Sequence, residues 1–509
     1  MLLSLPTLCA LAAAVAAAGN EFNVAFGERQ LFLDDHGIAK IENLTRTMHQ
    51  PAKKGAVIRP NPQIGESCLQ TRSAPAWDPK EKIFKLWMIG NYYGGGGTTY
   101  AESKDGLHWT KPALRQYEIN GSKENNIVAL DPKLKWPDSA MENVVYDPDE
   151  KDPSRRYKGF ANAFGREPIV SPDGRRWKRL DVPKIPSSDE SNMSYDRGAH
   201  MFIATLKTQK GPHGRSVKLS TSRDFEHWTE PELIFHADDL DQELGRKNIE
   251  RVYSNPLLAH PVYNNPAQYN IDVYNMGVFR YEGVYIGMPS MFHKTGLVAG
   301  DWPGFADWNV PPGRMSDLRR YGDWSGFHLV ELACSRDLHH WERLGDRQPF
   351  IDLSPVGAGA YDVACIIGPS SPVVRDDGLW FYYTGITQYG GAPFEGVNRD
   401  VGAICLAVLR RDGFISMDAG EDEGVLLTKP FKLPGGKLYV NIDAPKGELR
   451  VEALGEDGQR LAESLPLVGD LPRGEVRWEL GDIAKLKGEL VSLRFALRAA
   501  RFYSYWLEN

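Results

Sequence analysis

Acidic side chains recur where the chain starts a new run of β-prone residues. Such positions hold Glu66, Glu142, Asp189, Glu190, Asp272 and Asp362. Two carboxyl groups in one pocket can cleave a glycosidic bond, with one protonated to assist the leaving oxygen and the other ionised as base or nucleophile. Neighbouring carboxylates also raise one another's pKa, which keeps the acid protonated near neutral pH. Acidic residues are equally common as solvated turn residues, so the chemistry depends on whether the strand starts converge.

A repeated phrase sets the register of these strands. The pattern Ser-x-Asp-(Gly)-x-x-Trp ends at Trp109, Trp177, Trp228 and Trp341, and a weaker fifth copy has Ser416 in place of the Trp. Each copy follows an apolar, β-prone run, where Asp and Gly suit a tight turn. Irregularly spaced copies of one such unit are typical of propeller blades with loops of different length. We therefore predict five blades, with each Trp wedged between neighbouring blades.

The predicted fold class is all-β, a five-bladed β-propeller followed by a C-terminal β-sandwich. The propeller is expected over residues 19–420, and short alternating strands after an acidic linker predict the sandwich over residues 424–509. Because the first strand of every propeller blade lines the central axis, the acidic residues are expected to meet in one funnel. We also expect the N-terminal strand near Leu31 to Leu33 to complete the last blade.

Composition and charge argue against some classes of protein. The 509-residue chain has a net charge of -7 and no basic tract, which argues against a nucleic-acid partner. Residues 1–18 are apolar and end in small residues, a pattern typical of a secretory signal peptide, with a buried N-terminal helix as the alternative. No later run is long and apolar enough to span a membrane. The expected location is secreted or periplasmic.

The cysteines do not indicate a metal centre. The cysteines Cys68, Cys334, Cys365 and Cys405 lack zinc-site spacing and are expected as buried thiols. No metal loop is visible in the sequence, so no cofactor is predicted.

Aromatic and basic residues offer candidate sugar contacts. Trp302, Trp308 and Trp324 lie in a Gly/Pro-rich stretch and are interpreted either as sugar-stacking platforms or as self-packed loop anchors. Arg72 and His293 are candidate substrate contacts, whereas His200 is expected within a strand in a structural role. Asp35 could belong to a turn or point into the site.

These features together resemble the five-bladed propeller glycoside hydrolases, the superfamily that includes families 32, 43, 62, 68, 117 and 130. The resemblance implies that Glu190 or Asp189 is the acid, that Glu142 tunes it, and that Glu66 or Asp35 is the base. The chain departs from the pattern at the first blade, where Gln70 and Arg72 occupy the strand that carries an Asp in the family. Asp272 or Asp362 is then expected to supply the second carboxylate. A structural calcium ion on the axis occurs in some relatives.

Three functions compete at this stage. A secreted glycoside hydrolase acting on an oligo- or polysaccharide is the main prediction, and a non-catalytic carbohydrate-binding propeller is the second. A glycoside phosphorylase is the third, and it would need several basic residues in the funnel, of which the strand starts offer few. If Glu142, Glu190 and Asp272 point outward or pair with Lys and Arg, the hydrolase hypothesis fails at this site. The sequence does not indicate an oligomeric state.

Overall fold

A computed structural model describes residues 22–92, 95–119, 121–131, 133–134, 138–307, 312–388 and 400–509. The predicted signal peptide and Trp308 lie outside the described residues. The chain forms two compact units, Met48–Phe414 and a second unit made of the segment up to Thr47 together with Ile415–Asn509. The described part contains two α-helices, Asp239–Ser254 and Pro312–Tyr321. Short 3-10 helices occur at Pro62–Ile64, Pro153–Arg155, Pro266–Gln268, Pro303–Asp307, Gly345–Arg347 and Ile483–Leu486.

The unit Met48–Phe414 consists of five antiparallel meanders, here called blades, each with four strand positions from the axis outward. Blade one contains Cys68–Gln70 with Ala76–Asp78, then Ile83–Tyr92, Gly95–Ser103 and Trp109–Thr110, and Ile127–Val128 pairs with its third strand. Blade two contains Met141–Tyr146, Tyr157–Ala161, Glu167–Ser171 and Lys178–Arg179. Blade three contains Ser191–Asp196, Met201–Thr208, Ser216–Ser222 and Glu232–Phe235.

The last two blades differ in how their strands are divided. Blade four contains Asn270–Tyr281, Val284–Val298, Asp323–Val330 with Ala333–Ser335, and Glu342–Arg343. Blade five contains Cys365–Ile367 with Val373–Arg375, Gly378–Ile386, Gly402–Leu409 and Ala52–Ile58. The prediction of an all-β chain with a propeller is confirmed.

The strand that closes the ring is Ala52–Ile58 and not the predicted strand near Leu31 to Leu33. Ala52–Ile58 pairs antiparallel with Gly402–Leu409 and so supplies the outer strand of blade five. Gln30–Leu31 instead pairs with Ala500–Glu508 in the other unit. The prediction that the strand near Leu31 to Leu33 completes the last blade is therefore wrong.

Polar side chains join the blades around the axis. The five junctions, in ring order, are Ser73 Oγ to Glu142 O (2.9 Å), Asn143 Nδ2 to Ser191 Oγ (2.8 Å), Asn275 Nδ2 to Asn192 Oδ1 (2.8 Å), Gly368 N to Ser290 Oγ (3.0 Å) and Ser370 Oγ to Arg72 O (2.6 Å). These groups are buried, so each needs a partner to offset the loss of water. The ring therefore fixes the first strands relative to one another.

The repeated turn packs each blade against the one before it. Trp177 meets Trp87 of blade one with ring centroids 5.8 Å apart, and Trp228 meets Phe160 of blade two at 5.2 Å. Trp109 meets Tyr382 of blade five at 5.8 Å, which closes the circle. The predicted wedging of the Trp residues is thus observed at these junctions.

The other unit is a β-structure built around one long strand, Lys437–Leu454. Its first part pairs with Ala500–Glu508 and Leu467–Glu475, and its last part pairs with Leu490–Arg498 and Arg460–Ser464. The remaining strands are Gln30–Leu31, Ile38–Glu42, Thr45–Met48, Ile415–Ala419, Gly424–Thr428, Phe431–Lys432 and Trp478–Leu480. Ile38–Glu42 pairs with Gly424–Thr428, so both ends of the described chain contribute to this unit.

Candidate functional site

Two β-bulges occur in first strands of the propeller, near the ends where the predicted acidic residues lie. Met141 and Asn143 pair with consecutive residues of the neighbouring strand, which leaves Glu142 as the extra residue. In blade four, Val273 and Asn275 pair with the consecutive residues Met291 and Ser290, which leaves Tyr274 as the extra residue. A bulge redirects the side chain of the extra residue and is common beside active sites. Glu142 and Tyr274 therefore have orientations that regular strand pairing would not give them.

Arg72 joins two of the predicted carboxylates. Its Nε and Nη2 atoms each donate to one oxygen of Glu190 at 2.6 Å, and its Nη1 donates to Gln70 at 3.2 Å. The same Nε lies 3.8 Å from Oε2 of Glu142. The Oε2 atoms of Glu142 and Glu190 are therefore less than about 6.5 Å apart, so each carboxylate affects the charge of the other. Arg72, Glu142 and Glu190 are all buried.

The two carboxyl oxygens of Glu142 have different surroundings. Arg166, also buried, donates to Oε1 at 3.0 Å, whereas Oε2 accepts no hydrogen bond from the described residues. Burial raises the pKa of Glu142, and although Arg166 opposes the shift, the nearby Glu190 charge adds to it. The net pKa is raised, which favours the protonated acid.

Asp189 is the carboxylate of this group that solvent reaches, with 37% of its side chain exposed. Lys207 Nζ lies 2.7 Å from Asp189 Oδ1 and 4.0 Å from the centre of the Tyr274 ring. Burial alone would raise the pKa of Asp189, but the charge and hydrogen bond of Lys207 together with the Arg215 charge outweigh it, and the pKa is lowered. Arg215 lies near the same ring, 5.9 Å from its centre.

Asp272 lies beside Arg215 at the start of blade four. A Cβ atom on Gly214 would be 3.9 Å from Asp272 Oδ2, and Val273 N donates to Arg215 O at 3.2 Å. Lys294 Nζ contacts Asp272 Oδ2 at 2.5 Å and lies 4.7 Å from the centre of the Trp324 ring. We name the set Arg72, Glu142, Asp189, Glu190, Lys207, Arg215, Asp272 and Tyr274 the axial cluster.

Three of the predicted acidic residues are held elsewhere. Glu66 is buried and accepts from Asn61 N at 2.7 Å and from Lys111 beyond the outer strand of blade one. Asp362 accepts from Tyr383 Oη at 2.8 Å and pairs with Lys53 at 2.7 Å. Asp35 belongs to the other unit, where it pairs with Arg46 at 2.6 Å. Each of the three carboxylates has its own cationic partner within its local structure.

His293 and Trp302 take part in local packing. His293 stacks on Phe327 with ring centroids 4.9 Å apart, and burial lowers its pKa to about 4. Trp302 packs edge-on against Phe305 at 5.4 Å and against Tyr263 at 6.3 Å, the arrangement of a self-packed loop anchor. The expectation that His200 lies within a strand is wrong, because His200 is an exposed turn residue with φ of 48°.

Sequence reasoning missed most of the basic residues near the axial cluster. They are Arg166, Lys207, Arg215 and Lys294. In an antiparallel meander, the end of the second strand and the start of the third lie at the same edge as the start of the first. Arg166 and Arg215 each stand one residue before a third strand, so this register was available from the sequence.

Across the described ranges, no group of three His, Cys, Asp or Glu residues is arranged to hold a metal ion. In the part of the chain that the structure describes, Cys68, Cys334, Cys365 and Cys405 are buried thiols that form no disulfide. None of the described helices is long and apolar enough to cross a membrane.

Comparisons with known proteins give similarity at the level of solved structures. No protein-family model matches the chain, and no curated protein matches it. A GH62 α-L-arabinofuranosidase catalytic domain of Coprinopsis cinerea is 11% identical, with 71% of this chain and 97% of that chain covered and a TM-score of 0.41. A GH32 β-fructofuranosidase of Bombyx mori is 9% identical, with 88% and 95% covered and a TM-score of 0.38.

A third solved structure is a family 43 arabinoxylan arabinofuranohydrolase of Bacillus subtilis. It is 11% identical, covers 89% of this chain and 99% of its own, and has a TM-score of 0.31. At these values residue roles do not transfer from one protein to the other. The roles proposed below therefore rest on contacts within this chain.

Proposed function

We propose that the protein is a glycoside hydrolase whose proton donor is Glu142. The observation that carries this is the state of its carboxyl group, which is buried, has a raised pKa and keeps Oε2 without a hydrogen-bond partner among the described residues. A general acid must hold its proton near working pH and have an oxygen available for the leaving group. The bulge at Glu142 supports this role, because a regular strand would turn the side chain differently.

Glu190 tunes the acid in this scheme. Both of its oxygens accept hydrogen bonds from Arg72, and its charge contributes to the raised pKa of Glu142. The resemblance implied the reverse assignment, with Glu190 as acid and Glu142 as modulator. The contacts of this chain favour the exchange, because Arg72 engages the whole Glu190 carboxylate.

Asp189 is the proposed second carboxylate. Its pKa is lowered by Lys207 and part of its side chain meets solvent, so it is ionised and in contact with the water that hydrolysis consumes. Asp272 is buried away from solvent, which makes it a less suitable base than Asp189. In this proposal Asp189 acts as base or nucleophile.

Ion pairing at Glu142, Glu190 and Asp272 favours the second candidate, a carbohydrate-binding propeller without catalysis. All three carboxylates are paired with cations, as expected of residues that only shape a binding surface. The two functions differ in whether Glu142 transfers a proton, so a variant of that residue separates them.

The test is a screen of the purified protein on a panel of glycans, with product analysis and with Glu142→Gln assayed beside the wild type. We expect Glu142→Gln to lower kcat by about 10²-fold to 10⁴-fold while KM changes little. Activity of the wild type should fall as pH rises through the raised pKa of Glu142, because the acid then loses its proton. Glu331→Gln is the matched control, since Glu331 is a buried glutamate bonded to Arg343 outside the axial cluster.

The outcomes are separable. Full activity of Glu142→Gln would show that Glu142 is not the acid. Loss of activity in both Glu142→Gln and Glu331→Gln would indicate damage to the fold. Binding of a glycan by the wild type with no cleavage product would replace hydrolysis by the carbohydrate-binding function.

A further inference from the structure

Two cations beside the proposed base lie against one aromatic ring. Lys207 Nζ is 4.0 Å from the centre of the Tyr274 ring, and the Arg215 guanidinium carbon is 5.9 Å from the same centre. Arg215 also lies 5.1 Å from the centre of the Phe292 ring. Aromatic faces attract cations and hold them in place without neutralising their charge. The arrangement brings two positive charges to one side of the axial cluster.

Cations outnumber carboxylates around the axial cluster, where Arg72, Arg166, Lys207, Arg215 and Lys294 lie among Glu142, Asp189, Glu190 and Asp272. Burial lowers the pKa of Lys207, and the neighbouring Arg215 charge lowers it further, although Asp189 and Glu190 oppose the shift. His328 is buried between Tyr274 and Phe292, with ring centroids 4.3 Å and 4.6 Å away. Its pKa is held well below the usual value by burial and then by Arg215 and Lys207. Like charges brought together in a region of low polarity destabilise the fold unless an anion joins them.

Solvent reaches this group beside the exposed residues 209–214. Residues 209–214, which precede Arg215, are exposed, and the Arg215 side chain is half-buried. Asp189 is partly exposed and accepts from Gln209 at 3.3 Å. A ligand that enters along this edge therefore meets Arg215 before the buried carboxyl group of Glu142.

We propose that Lys207 and Arg215 bind an acidic group of the substrate, so that the protein acts on an anionic sugar. The group is a carboxylate, as in a uronic acid, or a sulfate ester, since both present the paired oxygens that a guanidinium recognises. Lys207 is fully buried and contacts Asp189 at 2.7 Å, so the half-buried Arg215 makes the outer contact with the acidic group. The inference rests on the proposed function for its sugar, but its test measures binding and not cleavage.

The experiment is calorimetric titration of full-length Glu142→Gln protein, which keeps any ligand intact. The probes are a galacturonate trimer, a sulfated galactose trimer, a neutral galactose trimer and inorganic phosphate. We expect at least one acidic trimer to bind about tenfold more tightly than the neutral trimer, with an advantage that shrinks as salt is added. Phosphate should compete with the acidic trimer only weakly.

Arg215→Gln should remove the preference for the acidic trimer and leave the affinity for the neutral one unchanged. Arg223→Gln is the matched control, because Arg223 is an exposed arginine that follows the same strand Ser216–Ser222 at its other end. Arg215→Lys keeps the charge and should retain part of the preference, which guards against a folding defect in Arg215→Gln.

Three results would overturn the proposal. Equal affinity for acidic and neutral trimers would contradict the proposal of an anionic substrate. An equal loss of affinity for both trimers in Arg215→Gln would contradict it as well. Tight phosphate binding lost in Arg215→Gln would assign the cations to free phosphate, as a phosphorylase requires. Cleavage can fail in a separate assay while the acidic preference persists, so the two proposals are tested independently.

Discussion

A buried lysine shows how single residues couple the blades. Lys85 Nζ lies 2.6 Å from Asp78 Oδ2 and 2.6 Å from Glu81 Oε1, and it donates to Asp173 O at 3.0 Å. Tyr157 of blade two donates to the same Asp78 oxygen at 2.7 Å. Replacing Asp78 by Asn removes one of the two carboxylates that pair with the buried Lys85. We expect a loss of about 3 kcal/mol in the free energy of unfolding, measured by urea denaturation.

The pH dependence of stability checks the same contact. Burial alone would raise the pKa of Asp78, but the hydrogen bonds from Lys85 and Tyr157 outweigh it and the net pKa is lowered. A carboxyl group with a lowered folded pKa stabilises the fold above its unfolded pKa of about 4 and loses that contribution as pH falls. The stability gap between wild type and Asp78→Asn should therefore narrow from pH 6 to acidic pH. A gap that stays constant over this range would contradict the ion-pair account.

At single positions, the sequence predicted that several carboxylates lie at the same edge of the propeller, but not which of them are paired with cations. Strand register brings Glu142, Asp189, Glu190 and Asp272 to one edge of the propeller. Whether a carboxylate is free or paired depends on residues far away in the chain, as Arg72 of blade one holds Glu190 of blade three. The bulge that turns Glu142 also has no local sequence signal, because it follows from how Met141–Tyr146 meets its neighbour.

Among structural elements, the repeated turn makes the sharpest prediction. Gly174 has φ of 75°, and its carbonyl oxygen accepts from the indole nitrogens of both Trp87 at 2.6 Å and Trp177 at 2.9 Å. A Cβ atom at Gly174 would lie 2.4 Å from Trp87 Cζ2. Gly174→Ala therefore combines left-handed backbone strain of about 1 kcal/mol with a steric cost of about 1–3 kcal/mol.

Gly121→Ala separates the two contributions. Gly121 has φ of 78°, close to that of Gly174, and a Cβ atom there would meet nothing within 4 Å. We expect Gly121→Ala to lower the free energy of unfolding by the strain alone and Gly174→Ala to lower it clearly further. Equal losses in the two variants, by urea denaturation, would mean that the turn does not press on Trp87.

The turn is also the element that was easiest to predict. The hydrogen bonds of the turn join residues only a few positions apart, so the sequence alone indicates the turn. Ser103 Oγ accepts from Gly106 N at 2.9 Å, and Trp109 donates to Gly106 O at 2.9 Å. Closure of the ring depends on pairing between residues over 300 positions apart, for which no local signal exists. Ala52–Ile58 and Gln30–Leu31 are both strand-like, and only the complete fold shows which one joins blade five.

At the scale of the whole molecule, the strand assignments predict which fragments fold. A fragment of residues 48–414 contains all five blades, including the closing strand Ala52–Ile58 and the bond from His49 N to Phe414 O at 3.0 Å. A fragment of residues 22–414 adds Gln30–Leu31 and Ile38–Glu42, whose partners Ala500–Glu508 and Gly424–Thr428 are then missing. Unpaired strands expose backbone donors and acceptors to other chains and promote aggregation.

We therefore expect the 48–414 fragment to be the more soluble of the two and to unfold in a single cooperative transition, measured by size-exclusion chromatography and thermal melting. A fragment of residues 60–414 is the control, because it lacks Ala52–Ile58 and leaves Gly402–Leu409 with an open edge. It should be unstable although it is only slightly shorter. If 60–414 melts like 48–414, Ala52–Ile58 does not close the ring, and if 22–414 proves the more soluble fragment, the N-terminal strands find partners within the propeller itself.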